Sequence, residues 1–309
     1  MQSYTSRPYS ADEDLQAILE LLLAVRPAER VASYPSPVDL HEMFALQQVQ
    51  DNTRLWFDAG NHMIGYALVD HYNNLLFEFE PQAFTPEIEA EIIALGVACI
   101  QRAMQEEGET LTLDASCRAG DTEKIAFLTR HGFEQQEGYS VYMVRPLDQP
   151  IPAPQLPEGF AIRHVLGEEE VEALVALHRA AVGTEHMTVE ERLAMMSVPE
   201  YDAKLDLLAV APDGRLVAYC MCSISEEENA ATGRKEGYTD PVGTHPDFQR
   251  RGLARALMLT GLQALKQRGM DFAVLGTSGE NIAMQRTAES VGFHVASTTF
   301  WFARPVTPA

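Results

Sequence analysis

The sequence predicts a mixed α/β (α+β) protein made of two tandem copies of one domain, each a mixed, mostly antiparallel sheet with helices on both faces. Three observations predict it. Short alternating runs, such as HMIGYALVD at 62–70 and RLVAYCMCS at 215–223, read as strands between longer runs with helical apolar spacing. A proline-dense stretch, RPLDQPIPAPQLPEGF at 145–160, cuts the 309-residue chain almost in half, and proline at that density removes backbone donors and favours an extended linker. The two halves also echo one another. RPYSADEDLQAILELLLAV at 7–25 resembles RHVLGEEEVEALVALHRAAV at 163–182, and FLTRHGFEQQEGYSVYMVRP at 127–146 resembles AESVGFHVASTTFWFARP at 288–305. The expected division is a first domain over 1–146, a linker over 147–157 and a second domain over 158–309. Each half is expected to close on Gly-Phe followed by a strand hairpin.

Taken in order, the second half opens with a strand at FAIRHV and a helix at GEEEVEALVALHRAA, whose first turn carries acids as the helix dipole prefers. TVEERLAMM is a short helix. DLLAVAPDGRLVAYCMCSIS is a hairpin turned by Pro212, Asp213 and Gly214. EGYTDPVGTHP is a strand interrupted by Pro241. RGLARALMLTGLQALKQRG is a helix with Leu253, Leu257, Gly261 and Ala264 on one stripe. FAVLGT is a buried strand, and NIAMQRTAESVGF a helix that Asn281 caps. One crossover helix between two parallel strands makes the sheet mixed.

Composition narrows the function classes. Formal net charge is -22, which opposes nucleic-acid binding and suits a cationic or amine substrate. The four cysteines, Cys99, Cys117, Cys220 and Cys222, sit in apolar stretches at spacings that fit neither a disulfide framework nor a CxxC zinc site. No HExxH, EF-hand loop or catalytic Ser-His-Asp spacing occurs, so no metal is expected. The first residues lack a basic stretch followed by an apolar one, and the longest apolar run, IIALGVACI at 92–100, is far short of a membrane span. The expected setting is cytoplasmic, without a membrane partner.

Against that acidity, VGTHPDFQRRGLARALM at 242–258 gathers Arg250, Arg251 and Arg255 around Gly252, where a loop enters a helix. Such a loop aims unpaired N–H groups at one point beside the positive end of the helix dipole. Gly252 lets a phosphate approach closely, Ala254 is the next smallest choice, and the arginines add charge-assisted hydrogen bonds. Solvated arginines at an ordinary helix start would share this spacing.

Gln249-Arg250-Arg251-Gly252-Leu253-Ala254 resembles the Q/R-x-x-G-x-G/A signature of the GCN5-related N-acetyltransferase (GNAT) superfamily. GTSGENIAMQRTAESVGF at 276–293 is similar to that family's following motif, in the right order and at the right distance. The resemblance is specific over 158–305 and extends to the first half through topology and the Gly132-Phe133 ending, giving two tandem GNAT-like domains. It implies that the amides of Arg251 to Arg255 cradle the pyrophosphate of acetyl-CoA, a co-substrate. It further implies that the pantetheine arm pairs with Val242, Gly243 and Thr244 where two strands splay, and that Asn281 contacts the arm or fixes the splay. The first half departs from the pattern: FEPQAFTPEIEAEIIALGV at 79–97 has no glycine pair and carries Glu87, Glu89 and Glu91 at its helix start. Carboxylates there would occupy the dipole and repel a pyrophosphate. That half is expected to have lost cofactor binding and to shape a substrate cleft or an oligomer contact.

The implied activity is acetyl transfer from acetyl-CoA to a primary amine of a small molecule, by direct attack through a tetrahedral intermediate. An amine of pKa about 10.4 is neutral in roughly one molecule in 2,500 at pH 7, so a base is useful. Glu236, Tyr238 and Asp240 share a strand face. Many relatives carry Glu fourteen residues before the loop glycine, a place held here by Tyr238; Asp240 is the first choice and Glu236 the second. A backbone N–H of 242–244 would meet the oxyanion. The proton donor often found seven residues after the motif Asn is replaced by Ala288, leaving Tyr238 or water. Glu226 to Glu228 read as a solvated acidic loop. The alternative reading is a non-catalytic acyl-CoA-binding sensor or scaffold that kept the loop and lost the acid and base.

Overall fold

A computed structural model describes residues 4–27, 30, 31, 33–184, 186–198 and 201–308. The first half runs β1 (Tyr4–Pro8), α1 (Asp12–Val25), α2 (Pro37–Phe44), α3 (Gln47–Asp51), β2 (Thr53–Asp58), β3 (Met63–Val69), β4 (Leu75–Phe79), α4 (Pro86–Glu107), β5 (Thr112–Arg118), α5 (Thr122–Arg130) and β6 (Glu134–Pro146). The second half follows a similar order, with one helix fewer at its start, an added α8 and a split strand: β7 (Ala161–His164), α6 (Val171–Val182), α7 (Val189–Ser197), β8 (Asp206–Val210), β9 (Leu216–Met221), α8 (Glu226–Thr232), β10 (Glu236–Tyr238), β11 (Val242–Thr244), α9 (Leu253–Gln267), β12 (Phe272–Ser278), α10 (Ile282–Ser290) and β13 (His294–Pro305). The elements expected at the second half's motifs are present. The strand expected to be interrupted at Pro241 is split there into β10 and β11, and one feature was not expected: α8 stands where an acidic loop was read.

The chain divides into two compact units, Met1–Tyr139 with Thr299–Ala309, and Ser140–Thr298. This differs from the expected boundaries at 146 and 158, and the reason lies in strand pairing. The expected closing hairpins are single long strands, and each completes the other half's unit. In the first unit, β1-β2-β3-β4 form an antiparallel sheet. There β5 pairs antiparallel with 299–305 of β13, Phe302 lying opposite Ala115. In the second unit, β11-β9-β8-β7 form an antiparallel sheet. There β12 pairs parallel with β10 and antiparallel with 140–146 of β6, Gly276 lying opposite Tyr142. Period-two alternation specifies which side chains are inside but not which neighbour is chosen, so both strands fit the pattern while the partner is exchanged.

Each unit has its own core. In the first, Phe302 and Val306 pack with Leu113, Ala115, Ile92 and Phe127. In the second, Val141, Met143, Leu257, Leu262 and Leu275 are buried together, and each such leucine contributes about 1.5–3 kcal/mol. Residues Ile151, Leu156 and Phe160 of the proline-rich stretch pack on that core, so the stretch is a strap along the second unit rather than a free spacer. Helix α9 lies close on β9 because position 261 is glycine: a Cβ there would come within 2.6 Å of Cys222 Sγ. Cys220 and Cys222 are buried with their sulfurs 3.8 Å apart, as small apolar fillers.

Candidate active site

The strand before the loop forks. Up to Tyr238, which lies opposite Val274, the chain pairs with β12, and the Thr239 N–H still donates to the Val274 carbonyl at 2.9 Å. Pro241 has no N–H to continue that ladder. Beyond it, β11 is paired to β9, with Gly243 opposite Tyr219. The Pro241 carbonyl accepts from Met221 N–H at 3.1 Å and the His245 N–H donates to Val217 at 2.9 Å. By antiparallel alternation, the backbone groups of Val242 and Thr244 therefore turn away from β9, toward the open side of the fork. Gly243 is required here, since a Cβ would lie 2.4 Å from the Tyr219 ring.

From the fork the chain passes into the arginine loop. The His245 side chain accepts from the Asp247 N–H at 3.3 Å, and Gln249 Nε2 donates to the Thr244 carbonyl at 3.4 Å. Arg250 and Gly252 take left-handed backbone, φ 59° and 79°, which swings the chain into α9. Arg251 donates to the Asp247 carbonyl at 3.1 Å and stacks 5.0 Å above the Phe248 ring. The first intrahelical bond of α9 runs from Ala256 N–H to the Gly252 carbonyl. The amides of Leu253, Ala254 and Arg255 thus have no acceptor within the helix, and no side chain caps it. A Cβ at Gly252 would meet nothing within 4 Å. Buried Leu253 anchors this turn, while Gly252 is exposed. An open, uncapped amide cradle beside three arginines fits a phosphate group. Asn281 caps α10, its Oδ1 accepting from Met284 N–H at 3.0 Å.

The three base candidates have different surroundings. Asp240 stands at the crotch of the fork, where its Oδ2 accepts from the Gly276 N–H at 3.2 Å. Glu236 is 2% exposed and ion-paired with Arg234 at 2.5 Å; burial pushes its carboxyl upward while Arg234 opposes. Tyr238 donates its hydroxyl to Glu228 Oε2 at 2.6 Å. Glu228 is 2% exposed and lies in α8, which Ser225 caps at 3.1 Å. The reading of residues 226–228 as a solvated loop fails at Glu228, because the Tyr238 hydroxyl and the turn from Ser225 draw it inward.

Sequence reasoning missed Tyr142. It sits on β6 opposite Gly276, and its buried hydroxyl has no hydrogen-bond partner among the described residues. Burial first, and then Glu236, Glu228 and Asp240, hold its pKa well above that of an ordinary phenol, with Arg234 opposing. Only its strand partner reveals this placement, so no local signal in EGYSVYMVRP could have found it. A separate recess beside the fork is lined by Leu174, His178, Met187, Arg192, Tyr219 and Pro241. There the Tyr219 hydroxyl and His178 Nδ1 are 2.9 Å apart, and Arg192 pairs with Asp206.

The corresponding helix start in the first unit carries fixed carboxylates. Glu91 accepts from the Tyr4 hydroxyl at 2.9 Å and from Trp56 Nε1 at 2.8 Å. Glu89 is bonded to Arg130 and His131, each at 2.9 Å. Thr85 caps the helix. Among the described residues no cluster of His, Cys, Asp and Glu could hold a metal ion, and no helix is long and apolar enough to cross a membrane.

Residues 172–293 match the family described as Acetyltransferase (GNAT) family. A mycothiol acetyltransferase of Thermobispora bispora is 34% identical over 155 residues, 49% of this chain and 52% of that protein. The chain thus spans about half the length of that relative. A mycothiol acetyltransferase of Sanguibacter keddieii is 27% identical over 94% of this chain and 93% of its own length. The fold is similar to a GCN5-related N-acetyltransferase from Sphaerobacter thermophilus (TM-score 0.69, 23% identity, 99% and 98% of the two chains). It is also similar to a tandem GNAT protein of the clavulanic acid biosynthesis pathway (TM-score 0.70, 16% identity, 100% of each chain).

Proposed function

The second half of this chain carries an acetyltransferase (GNAT) family domain, and from that premise we propose that the protein transfers an acetyl group from acetyl-CoA to a primary amine of a small molecule. The observation that carries the proposal is the fork between β11 and β12, opening directly beside an uncapped, glycine-started helix.

When bound, acetyl-CoA supplies an activated acyl group, and the rest is the work of this chain's residues. The amides of Leu253, Ala254 and Arg255, with Arg250, Arg251 and Arg255 around them, hold the pyrophosphate. The outward backbone groups of Val242 and Thr244 pair with the amide-bearing arm, and an N–H of this strand also faces the developing oxyanion. Gly243 keeps β11 flat against Tyr219. Gln249 ties the loop to Thr244, and Asn281 fixes the start of α10 at the far side of the fork.

Asp240 is the base. The Gly276 N–H orients its carboxylate, which takes the proton of the acceptor ammonium. The neutral amine nitrogen then bonds to the acyl carbon as the carbonyl π pair moves onto oxygen, giving a tetrahedral intermediate; its collapse breaks the carbon–sulfur bond, and the nitrogen's second proton leaves to water. A free thiol has pKa about 8.5, so the thiolate takes its proton from water without a dedicated acid. Glu236 and Tyr238 hold the surroundings of Asp240 through Arg234 and Glu228. The first unit, with carboxylates already at its helix start, binds no acetyl-CoA.

Calorimetric titration of acetyl-CoA tests the reading together with a thiol-release assay on a panel of primary amines. One site per chain and amine-dependent thiol release support it. Binding without release from any amine would favour an acyl-CoA-binding scaffold instead, two sites would restore the first unit's loop, and no binding refutes the proposal.

A further inference from the structure

We propose that Tyr142, on the strand that the first half of the chain contributes to the second unit, is an acceptor-binding residue that accepts a hydrogen bond from the amine nitrogen and holds it against Asp240. The inference rests on the proposed acetyl transfer and deepens it. Tyr142 lies opposite Gly276 in the β12–β6 ladder, and it is the Gly276 N–H that holds the Asp240 carboxylate at 3.2 Å. A Cβ at Gly276 would stand 3.7 Å from Asp240 Oδ2, so any larger residue there would extend into the space in front of that carboxylate. Residues opposite one another in an antiparallel ladder project to the same face, so Tyr142 stands on the face of Gly276 that a Cβ would occupy near Asp240.

The Tyr142 hydroxyl is buried, and no described residue bonds it. A buried hydroxyl without a partner is uncommon, because it forfeits the bonds it would have had with water. The groups near enough to act on it electrostatically are Glu236, Glu228, Asp240 and Arg234. Glu236 is occupied by Arg234 and Glu228 by the Tyr238 hydroxyl. The phenol keeps its proton through the neutral range, since burial and these carboxylates raise its pKa. Its oxygen offers lone pairs to an N–H and its proton can satisfy a second polar atom of the acceptor. An ammonium with carboxylates around it and a phenol oxygen beside it has its charge and its hydrogen bonds met together. The retention of a first half without a cofactor loop follows, because that half supplies a residue of the site.

The test is Tyr142→Phe in the full chain. Phenylalanine keeps the ring and its packing and removes only the hydroxyl. Thiol release from acetyl-CoA is followed with 1,4-diaminobutane, glucosamine and phenylalanine amide as acceptor probes, the best of the three being used for saturation kinetics. The expected result is a KM for the amine raised about tenfold, as for one lost buried hydrogen bond, with kcat reduced less and the calorimetric affinity for acetyl-CoA unchanged. A merely structural tyrosine would not split KM from acetyl-CoA affinity in this way. An active wild type with an indistinguishable Tyr142→Phe variant overturns the assignment and leaves the transferase reading intact. A wild type that releases thiol with none of the probes overturns both.

Discussion

Replacing Gly252 by Glu isolates the cradle from the rest of the fold. A Cβ at that position meets nothing within 4 Å, so no core atom moves. The folding cost is the left-handed backbone at φ 79°, about 1–2 kcal/mol for a residue other than glycine. The binding cost is electrostatic. A carboxylate about 4 Å from one phosphate charge opposes it by about 1 kcal/mol at the dielectric of water and about 4 kcal/mol at that of a protein surface. Gly252 is exposed, so the lower part of the range weighs more. At 1.36 kcal/mol per decade, acetyl-CoA affinity should fall between about fivefold and about a thousandfold, and more steeply at low salt. Gly252→Ala is the control: it carries the same backbone strain without the charge and should bind within about tenfold of wild type. Calorimetry at two salt concentrations, with melting curves for both variants, makes the comparison. Equal affinity for wild type and Gly252→Glu would refute an anion cradle at the start of α9.

Three further outcomes follow from the geometry. Asp240→Asn keeps an oxygen for the Gly276 N–H and should slow acceptor-dependent thiol release about 10²–10⁴-fold with acetyl-CoA affinity unchanged; full turnover in stopped assays would remove Asp240 as the base. Gly243→Ala forces the Tyr219 ring, 2.4 Å from the new methyl, off its contact with His178, and should cost about 2–4 kcal/mol, read as a melting temperature lower by about 5–10 °C; an unchanged melting point would contradict it. Burial, reinforced by Arg192, depresses the His178 pKa below 6.5 in the folded state. The unfolded chain therefore binds more protons as pH falls below 6.5, and this group's stabilising share, complete above 6.5, is lost on descending from there through the folded pKa. His178→Gln should flatten that part of a melting-temperature profile, and identical slopes in both proteins would rule His178 out as the source.

Much of the geometry of the second unit's candidate site could be read from the chain because it is local. Gly252, the arginines and Asn281 stand within a turn of the helix starts they shape, and loop-to-helix spacing carries that information. Asp240 could be singled out as a candidate because period two puts it on one strand face with Tyr238, two residues nearer the loop. Glu228 and Tyr142 could not be. Glu228 is drawn in by a hydroxyl ten residues away, on a strand whose inward face depends on β12. Tyr142 reaches the site only through a ladder with residues more than a hundred positions later. The other helices of the second half were equally legible, since periodicity encodes them, whereas the short α8 was read as a loop. Strand partnership was not, because β6 and β13 present similar alternation and the choice between them is made by the whole sheet.

That choice binds the two halves into one heritable object. A duplicated domain that keeps its own last strand can be lost, shuffled or replaced as a cassette. Here a cut at the proline-rich strap would leave β12 with a bare edge where 140–146 belongs and β5 with a bare edge where 299–305 belongs, each an invitation to aggregate. The first half therefore carries a strand that the second unit needs, whatever its own helix start binds. The second half likewise carries the strand that pairs with β5 in the first unit. Neither unit is complete within one half of the chain, because each takes a strand segment from the other.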